Sequence, residues 1–278
     1  MIGRYKFDED QHLHSLDGKP LIGTSTVVGV VAKPLTWWAS GLAVSELGWI
    51  KALKLNDKPK PTTEQIEANK ITRLEHAIAA QEKIGLMEPE EYLALLDSAY
   101  RAHADTLTKS ADKGTDMHAE LEEYVKFTLT EHRGEPILLW DGYKHKAVEI
   151  FADWAVKNVK RFLVSEGHCY SEKLWTGGIV DLVFEDKQDR LAIMDFKSSK
   201  EAYLSQFFQI GGYDLEISEN GIFDADGILK LKVDKEISYY AVFPFGMEDP
   251  APQFHYDTVG AMQGFEAATV LYKLINNN

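Results

Sequence analysis

The chain has a single cysteine, Cys169, among its 278 residues. One thiol cannot close an internal disulfide, and alone it cannot hold a zinc ion or an iron-sulfur cluster. A reducing compartment, the cytoplasm, is therefore the expected setting, and Cys169 is expected to be a structural residue on a predicted strand. Long hydrophobic runs are also missing. No stretch approaches the roughly 20 apolar residues needed to span a bilayer, and neither end carries the pattern of a signal peptide. Secretion, membrane insertion and a membrane partner are not expected. Positive charge is scarce as well, with 30 Lys and Arg against 44 Asp and Glu and a formal net charge of −14. That balance argues against tight, non-specific binding of polyanions, which draws on cations facing phosphates. It leaves room for an acidic site that takes divalent cations beside a local basic groove, with binding that is modest and sensitive to salt.

With 45% hydrophobic and 27% charged residues, the chain has the composition of a soluble protein able to bury a substantial core. Residues 6–22 alternate around Asp17-Gly18 and predict a hairpin, and Thr24-Ser25-Thr26 would cap a short helix ending near Pro34. Trp37 and Trp38 open a further predicted helix to about Ile50, where they are expected to fill a core or interface rather than contact bases. After a polar break at 58–61, helical patterns cover 63–84, 89–108, 112–131 and 144–166. The pattern then changes. Residues 168–175, 178–185 and 190–197 read as three strands, followed by a helix at 201–218, a strand at 237–244 and a last helix at 260–275. The expected organisation is a mainly helical region, 1–110, packed over the cleft of an α/β region, 111–278.

Chemistry is concentrated in two apolar runs, Ile179-Val180-Asp181-Leu182-Val183-Phe184 and Leu191-Ala192-Ile193-Met194-Asp195-Phe196-Lys197. A carboxylate interrupts each run and would carry a large desolvation cost without a partner; a metal ion is one solution. Strand alternation puts Asp195 and Lys197 on one side and Phe196 on the other. Were the two strands hairpin partners, Asp181 would lie across from Asp195 and share a cation. Spacing alone is weak, since Asp17-Gly18-Lys19 repeats the Asp-x-Lys triplet and an ordinary ion pair at a strand end explains either case. The neighbouring Gly177-Gly178 and the buried-looking Asp181 set the second triplet apart.

Gly114-Thr115-Asp116-Met117-His118, Gly178-Ile179-Val180-Asp181, Asp195-Phe196-Lys197 and Gln209-Ile210-Gly211-Gly212-Tyr213 fall in order over about 100 residues. In these pieces the chain resembles the PD-(D/E)xK nuclease superfamily, in its RecB-like and Cas4-like exonuclease branch. The resemblance implies a restriction-endonuclease-like αβββαβ core in which His118, Asp181 and Asp195 bind metal and Lys197 takes part in hydrolysis. It further implies that Gln209 and Tyr213 flank the site and orient DNA. The donor set agrees with magnesium or manganese, with the Phe196 carbonyl as a further ligand. Lys197 suits the neutralisation of charge developing on phosphorus, while its ordinary pKa argues against a role as sole general base. Water activated by the cation, attacking in line, predicts a 5′-phosphate and a 3′-hydroxyl. Gln209 and Tyr213 stand one helical turn apart and can meet one substrate, or Tyr213 can belong to the core. Glu172, on the preceding strand, is a further candidate carboxylate. Glu122, one turn beyond His118, is expected to be solvated, with an orienting role or a second cation as the alternative. Members of the Cas4-like group often carry cluster cysteines that this chain lacks, so the comparison is with a cluster-free phage-type exonuclease.

The expected function is thus a DNA exonuclease in recombination, repair or viral DNA processing. It would act on DNA that is single-stranded or has a free end, with a recombination protein as a possible partner. A structure-selective or single-strand endonuclease, a nuclease-derived DNA-binding or assembly module, and a hydrolase of small phosphoesters are the competing readings.

Overall fold

The two most apolar runs of the chain become the central strands of a mixed eight-stranded sheet. The structure, a computed structural model, describes residues 4–31, 36–57 and 59–276, without the side chains of 36–38 and 107–113. Trp37 and Trp38 therefore lie outside the described side chains. In chain order the first elements are β1 (Tyr5–Asp8), β2 (Leu13–Leu16), β3 (Lys19–Pro20), β4 (Ile22–Gly23), α1 (Thr24–Val28), α2 (Thr36–Glu46), α3 (Thr63–Gly85) and α4 (Pro89–Glu131). There follow α5 (Lys146–Asn158), β5 (Val159–Ser171), β6 (Thr176–Asp186), β7 (Leu191–Lys197) and α6 (Leu204–Asn220). The last are β8 (Ile222–Phe223), β9 (Leu229–Leu231), β10 (Ile237–Pro244), β11 (Gln253–His255) and α7 (Thr258–Asn276).

The chain divides into two compact units, Met1–Ala32 with Lys113–Asn278, and Lys33–Asp112. The expected boundary at 110 grouped the first strands with the helices. Here they join the sheet unit, because β4 pairs in parallel with β6 through Ile22 opposite Thr176 and Gly23 opposite Gly177. In the smaller unit, Thr62 and Gln65 form a reciprocal capping box that starts α3. Arg73 Nε donates to the Ile50 carbonyl at 2.8 Å and Asn69 Oδ1 accepts from the Leu53 N–H at 2.9 Å, which ties the segment after α2 to α3. The single helix α4 runs unbroken where two helices, 89–108 and 112–131, are predicted.

In the sheet unit, strand alternation sends Phe162, Leu182, Phe184, Met194 and Phe196 to one face, where they pack on Leu121 and Tyr124 of α4 and Phe151 of α5. Val183, Leu191 and Ile193 point to the other face, against Phe207, Ile210, Tyr213 and Ile217 of α6. Burying a side chain such as Phe151 contributes about 1.5–3 kcal/mol, so these two layers hold the sheet between them. The strand order is β11-β10-β7-β6-β5-β8-β9, with β7 and β10 parallel and β5, β6 and β7 antiparallel to one another in succession. The predicted turn at Asp17-Gly18 joins β2 to β3, with φ of 49° and 74° at the two residues, which glycine and aspartate tolerate.

A further sequence expectation needs correction. The helix predicted over 144–166 stops at Asn158, and residues 159–166 are strand. Val159, Phe162 and Val164 carry the β-favouring character of that stretch, and it pairs with Val183–Asp186 on β6. This shift brings Glu166 into the sheet.

The sheet also forks. Along one edge of β6, residues 176–177 pair with β4 and residues 182–185 pair with β7. Among the described residues, 178–181 take no strand partner on that edge, and Asp181 sits at the point of divergence. Its Oδ2 accepts the Phe196 backbone N–H at 2.6 Å, closing the fork where the ladder ends.

Candidate metal centre

Asp195 is the most deeply placed carboxylate of the fork, with 1% exposure. Asp195 Oδ2 meets Lys197 Nζ at 2.7 Å in an ion-pair contact, and Oδ1 has no hydrogen-bond partner. The register of β6 and β7 pairs Leu182 with Met194, so Asp181 stands opposite Asp195 one step beyond the last paired residues. Complete burial pushes the Asp195 carboxyl up to about 7, while the Lys197 ammonium draws it down and Asp181 adds to the rise. Burial lowers the Lys197 pKa, but Asp195 and Asp181 outweigh it and the net shift is upward. Lys197 is thus held as an ammonium, which agrees with a role in neutralising charge and not in taking a proton.

His118 projects from α4, with its Nε2 3.1 Å from Asp181 Oδ2. Burial opposes the imidazolium, but the bond to Asp181 and the charges of Asp181, Glu166 and Asp195 raise its pKa to about 9. Its ring meets Phe196 edge-on, with centroids 5.7 Å apart. Gly114, one turn earlier on α4, allows this approach: a Cβ there would come within 2.9 Å of Ser198 Cβ, just beyond β7.

Glu166 is the carboxylate that the sequence reading missed. On β5 it falls between Ser165 opposite Leu182 and Gly167 opposite Val180, directly across from Asp181. Its backbone has φ of 50°, a left-handed conformation that is strained for this residue type and concentrates at functional sites. Burial first, then Asp181, pushes its carboxyl up to about 8, and its Oε1 is buried without a partner. One ligand atom each from His118, Glu122 and Glu166 lie within 4.8 Å of one another, so these three can hold a metal ion. Glu122, expected to be solvated, is half-buried in this cluster and also pairs with Lys126.

The same geometry removes Glu172 from the candidates. It lies beyond the end of β5, where it pairs with Arg4 at 2.9 Å, and it is six positions, about 20 Å of extended chain, from Glu166. The discriminating signal is the register, because the strand expected over 168–175 ends at Ser171. A short loop at 172–175 makes paired positions of β5 and β6 sum to a constant, as in Ser171 with Thr176, and the residue opposite Asp181 is then Glu166. Glu166→Gln is expected to weaken manganese binding by about tenfold or more, the scale of losses around metal sites. Glu172→Gln should leave it within about twofold. Calorimetric titration of both variants checks the pair, and equal losses would return Glu172 to the site.

Gln209 and Tyr213 are both buried on α6, and Gln209 Nε2 donates to the Tyr213 hydroxyl at 2.6 Å. The two bond to each other while lining, with Glu166, Asp181 and Lys197, a cavity of about 980 Å³. Gly178 makes room for this arrangement, since a Cβ would fall 2.6 Å from the Tyr213 ring. Cys169 is fully buried, and its Sγ donates to Glu216 Oε2 at 3.1 Å. Among the described residues, no helix is long and apolar enough to cross a membrane. No protein-family model matches the chain, and no characterised protein is recognisably similar to it in sequence.

The donor set fits a hard divalent cation. Asp195 Oδ1 and Glu166 Oε1 lie buried without hydrogen-bond donors, and the His118 imidazole has a ligand atom within 4.8 Å of Glu166. A buried, partnerless carboxylate is costly, and a cation is the partner that removes that cost for several at once.

Proposed function

We propose that the protein is a magnesium- or manganese-dependent DNA exonuclease whose centre is the fork of β6. The observation that carries this reading is the cluster of His118, Glu122 and Glu166, with ligand atoms within 4.8 Å of one another, joined through His118 to Asp181 at 3.1 Å and flanked by the buried Asp195–Lys197 pair. The order α5-β5-β6-β7-α6, with β10 added beside β7, supports a restriction-endonuclease-like core. The four motifs that resemble the PD-(D/E)xK superfamily support the choice of a phosphodiester as substrate.

Asp181, Asp195 and His118 are assigned to hold the cation with the Phe196 carbonyl, and Glu166 and Glu122 extend the donor set. The bound cation would supply Lewis-acid polarisation of the scissile phosphate and lower the pKa of the attacking water. Phe196 keeps Asp181 oriented through its backbone N–H, so the carboxylate is fixed before substrate arrives. Asp195 aims the Lys197 ammonium, which neutralises charge developing on the phosphate oxygens as the bond to the leaving 3′ oxygen breaks. Gln209 holds the Tyr213 hydroxyl, and the pair positions the entering nucleotide. The products are a 5′-phosphate and a 3′-hydroxyl.

End dependence is tested with linear DNA and covalently closed circles, single- and double-stranded, each end labelled separately. Linear strands should shorten while circles persist, and the labelled end that disappears first gives the polarity. Circles opened at rates comparable to linear DNA, with Asp195→Asn protein as the contamination control, would replace the exonuclease with an endonuclease.

A further inference from the structure

The cavity at the metal centre continues well past it. Its lining follows β6 from Asp181 back through Ile179, Gly178 and Gly177 to Trp175, six residues or about 20 Å of strand. The opposite wall comes from the N-terminal segment, residues 12–14 and 20–26, with Tyr272 and Lys273 of α7. This wall is fixed to the core. β4 pairs with β6, and the Thr24 hydroxyl donates at 2.6 Å to Glu216 Oε1, a fully buried carboxylate that also accepts from Thr176 Oγ1 at 2.8 Å. The Trp175 Nε1 donates to the Pro20 carbonyl at 2.9 Å, and Lys273 Nζ donates to the Leu174 carbonyl at 2.9 Å, which holds these two lining side chains in place.

The chemistry of that wall is unlike the rest of the chain. The chain holds 44 acidic residues against 30 Lys and Arg, yet among the described lining residues the only carboxylates are Glu166 and Asp181, both at the candidate metal centre. Away from the cluster the lining offers the Lys273 ammonium, the exposed His12 imidazole, the exposed hydroxyls of Ser25 and Thr26, and the Trp175 ring. Cationic and hydroxyl donors suit phosphate oxygens, and an aromatic ring suits a base. An elongated, carboxylate-free wall running away from an acidic centre fits a phosphate chain better than one small phosphoester. A volume of about 980 Å³ gives space for a few nucleotides of one strand.

We propose that the wall formed by residues 12–26 with Trp175 and Lys273 is a binding subsite for single-stranded DNA, holding the nucleotides next to the scissile phosphate. The subsite rests on the nuclease reading for its substrate, and it assigns a strand-binding role to residues outside the metal cluster. Lys273 contacts a backbone phosphate, His12 and Ser25 contact a neighbouring one, and Trp175 stacks on a base.

The test is fluorescence anisotropy with a labelled single-stranded oligonucleotide of about eight nucleotides, within the range of strand-binding site sizes. It uses the full chain in magnesium, with Asp195→Asn in every protein to stop cleavage while leaving the wall untouched. Lys273→Met keeps the apolar stem of the side chain and loses the charge together with the bond to the Leu174 carbonyl. The paired change His12→Gly with Ser25→Ala respects the φ of 50° at residue 12 and alters two exposed positions. Each variant should weaken binding by about tenfold. Lys273→Met should also flatten the dependence of log affinity on log salt by about 0.7, the value for one phosphate of a single strand. The blunt duplex of the same sequence should bind at least about tenfold more weakly than the strand. Unchanged affinity and salt slope in both variants, or equal binding of duplex and strand, would overturn the subsite. The nuclease reading fails separately: a chain that binds the strand through this wall yet cleaves no DNA with magnesium or manganese retains the subsite and loses the activity.

Discussion

Asp195→Asn is expected to abolish DNA cleavage, with turnover reduced by at least about a thousandfold, equivalent to about 4 kcal/mol of transition-state stabilisation. Asparagine matches the shape of the buried side chain, so packing between β7 and α6 is preserved, but the anion is gone. Two consequences follow from that one change. The cation loses a ligand whose Oδ1 has no other partner, and Lys197 loses the charge that aims it. Asp181→Asn should have a loss of similar direction for a different reason. The asparagine oxygen can still accept the Phe196 N–H and close the fork, while the interaction with His118 and the cation weakens. Circular dichroism should show both variants folded, and labelled-strand assays at saturating magnesium should show residual rates only. Wild-type turnover by folded Asp195→Asn protein would remove the centre from this part of the sheet.

Much of the sheet unit was legible because its strands are apolar, alternating and bounded by turns. The strand at 237–244 coincides with β10, and the turn at Asp17-Gly18 is where two adjacent positive φ values are needed. The error at 159–166 has a physical source. Val-Lys-Arg-Phe-Leu-Val continues the apolar spacing of the amphipathic α5, and no glycine or proline marks the change of period, so tertiary pairing with β6 decides the outcome. That one boundary hid Glu166, because a carboxylate assigned to a helix end could not be registered against Asp181. Glu122 was obscured by abundance, one acid among 44 with a cationic neighbour one turn away. The wall at 12–26 lay beyond any motif, since its residues are ordinary singly and gain meaning from the parallel pairing of β4 with β6. Asp195 and Lys197 were visible as a charged pair in an apolar run, and what the sequence could not show was that one carboxylate oxygen lacks a partner.

Without metal, the protein is expected to lose stability as the pH rises from about 5 to 9, and a divalent cation is expected to reverse most of that loss. Glu166, pushed up to about 8, and Asp195, up to about 7, hold protons in the folded state that an unfolded chain has already released. Over the interval between the usual carboxylate values and these, the folded state binds more protons, so stability falls with increasing pH. His118 acts in the same direction: its pKa rises from 6.5 to about 9, and the stabilisation present below the lower value disappears as pH passes the higher one. A cation requires the ionised carboxylates and a neutral imidazole, so its uptake expels these protons and is favoured at high pH. At a concentration a hundred times its Kd it adds about 2.7 kcal/mol. Thermal unfolding in a chelator should therefore give a lower Tm at about pH 8.5 than at about pH 6, and saturating manganese should raise Tm more at the higher pH. The combination Glu166→Gln with Asp195→Asn should reduce the slope of the metal-free profile to the part that His118 keeps through Asp181, and should erase the manganese effect. A metal-free Tm that climbs between these pH values, or a manganese gain that survives both substitutions, would show that the partnerless carboxylates of the fork are not where the cation binds.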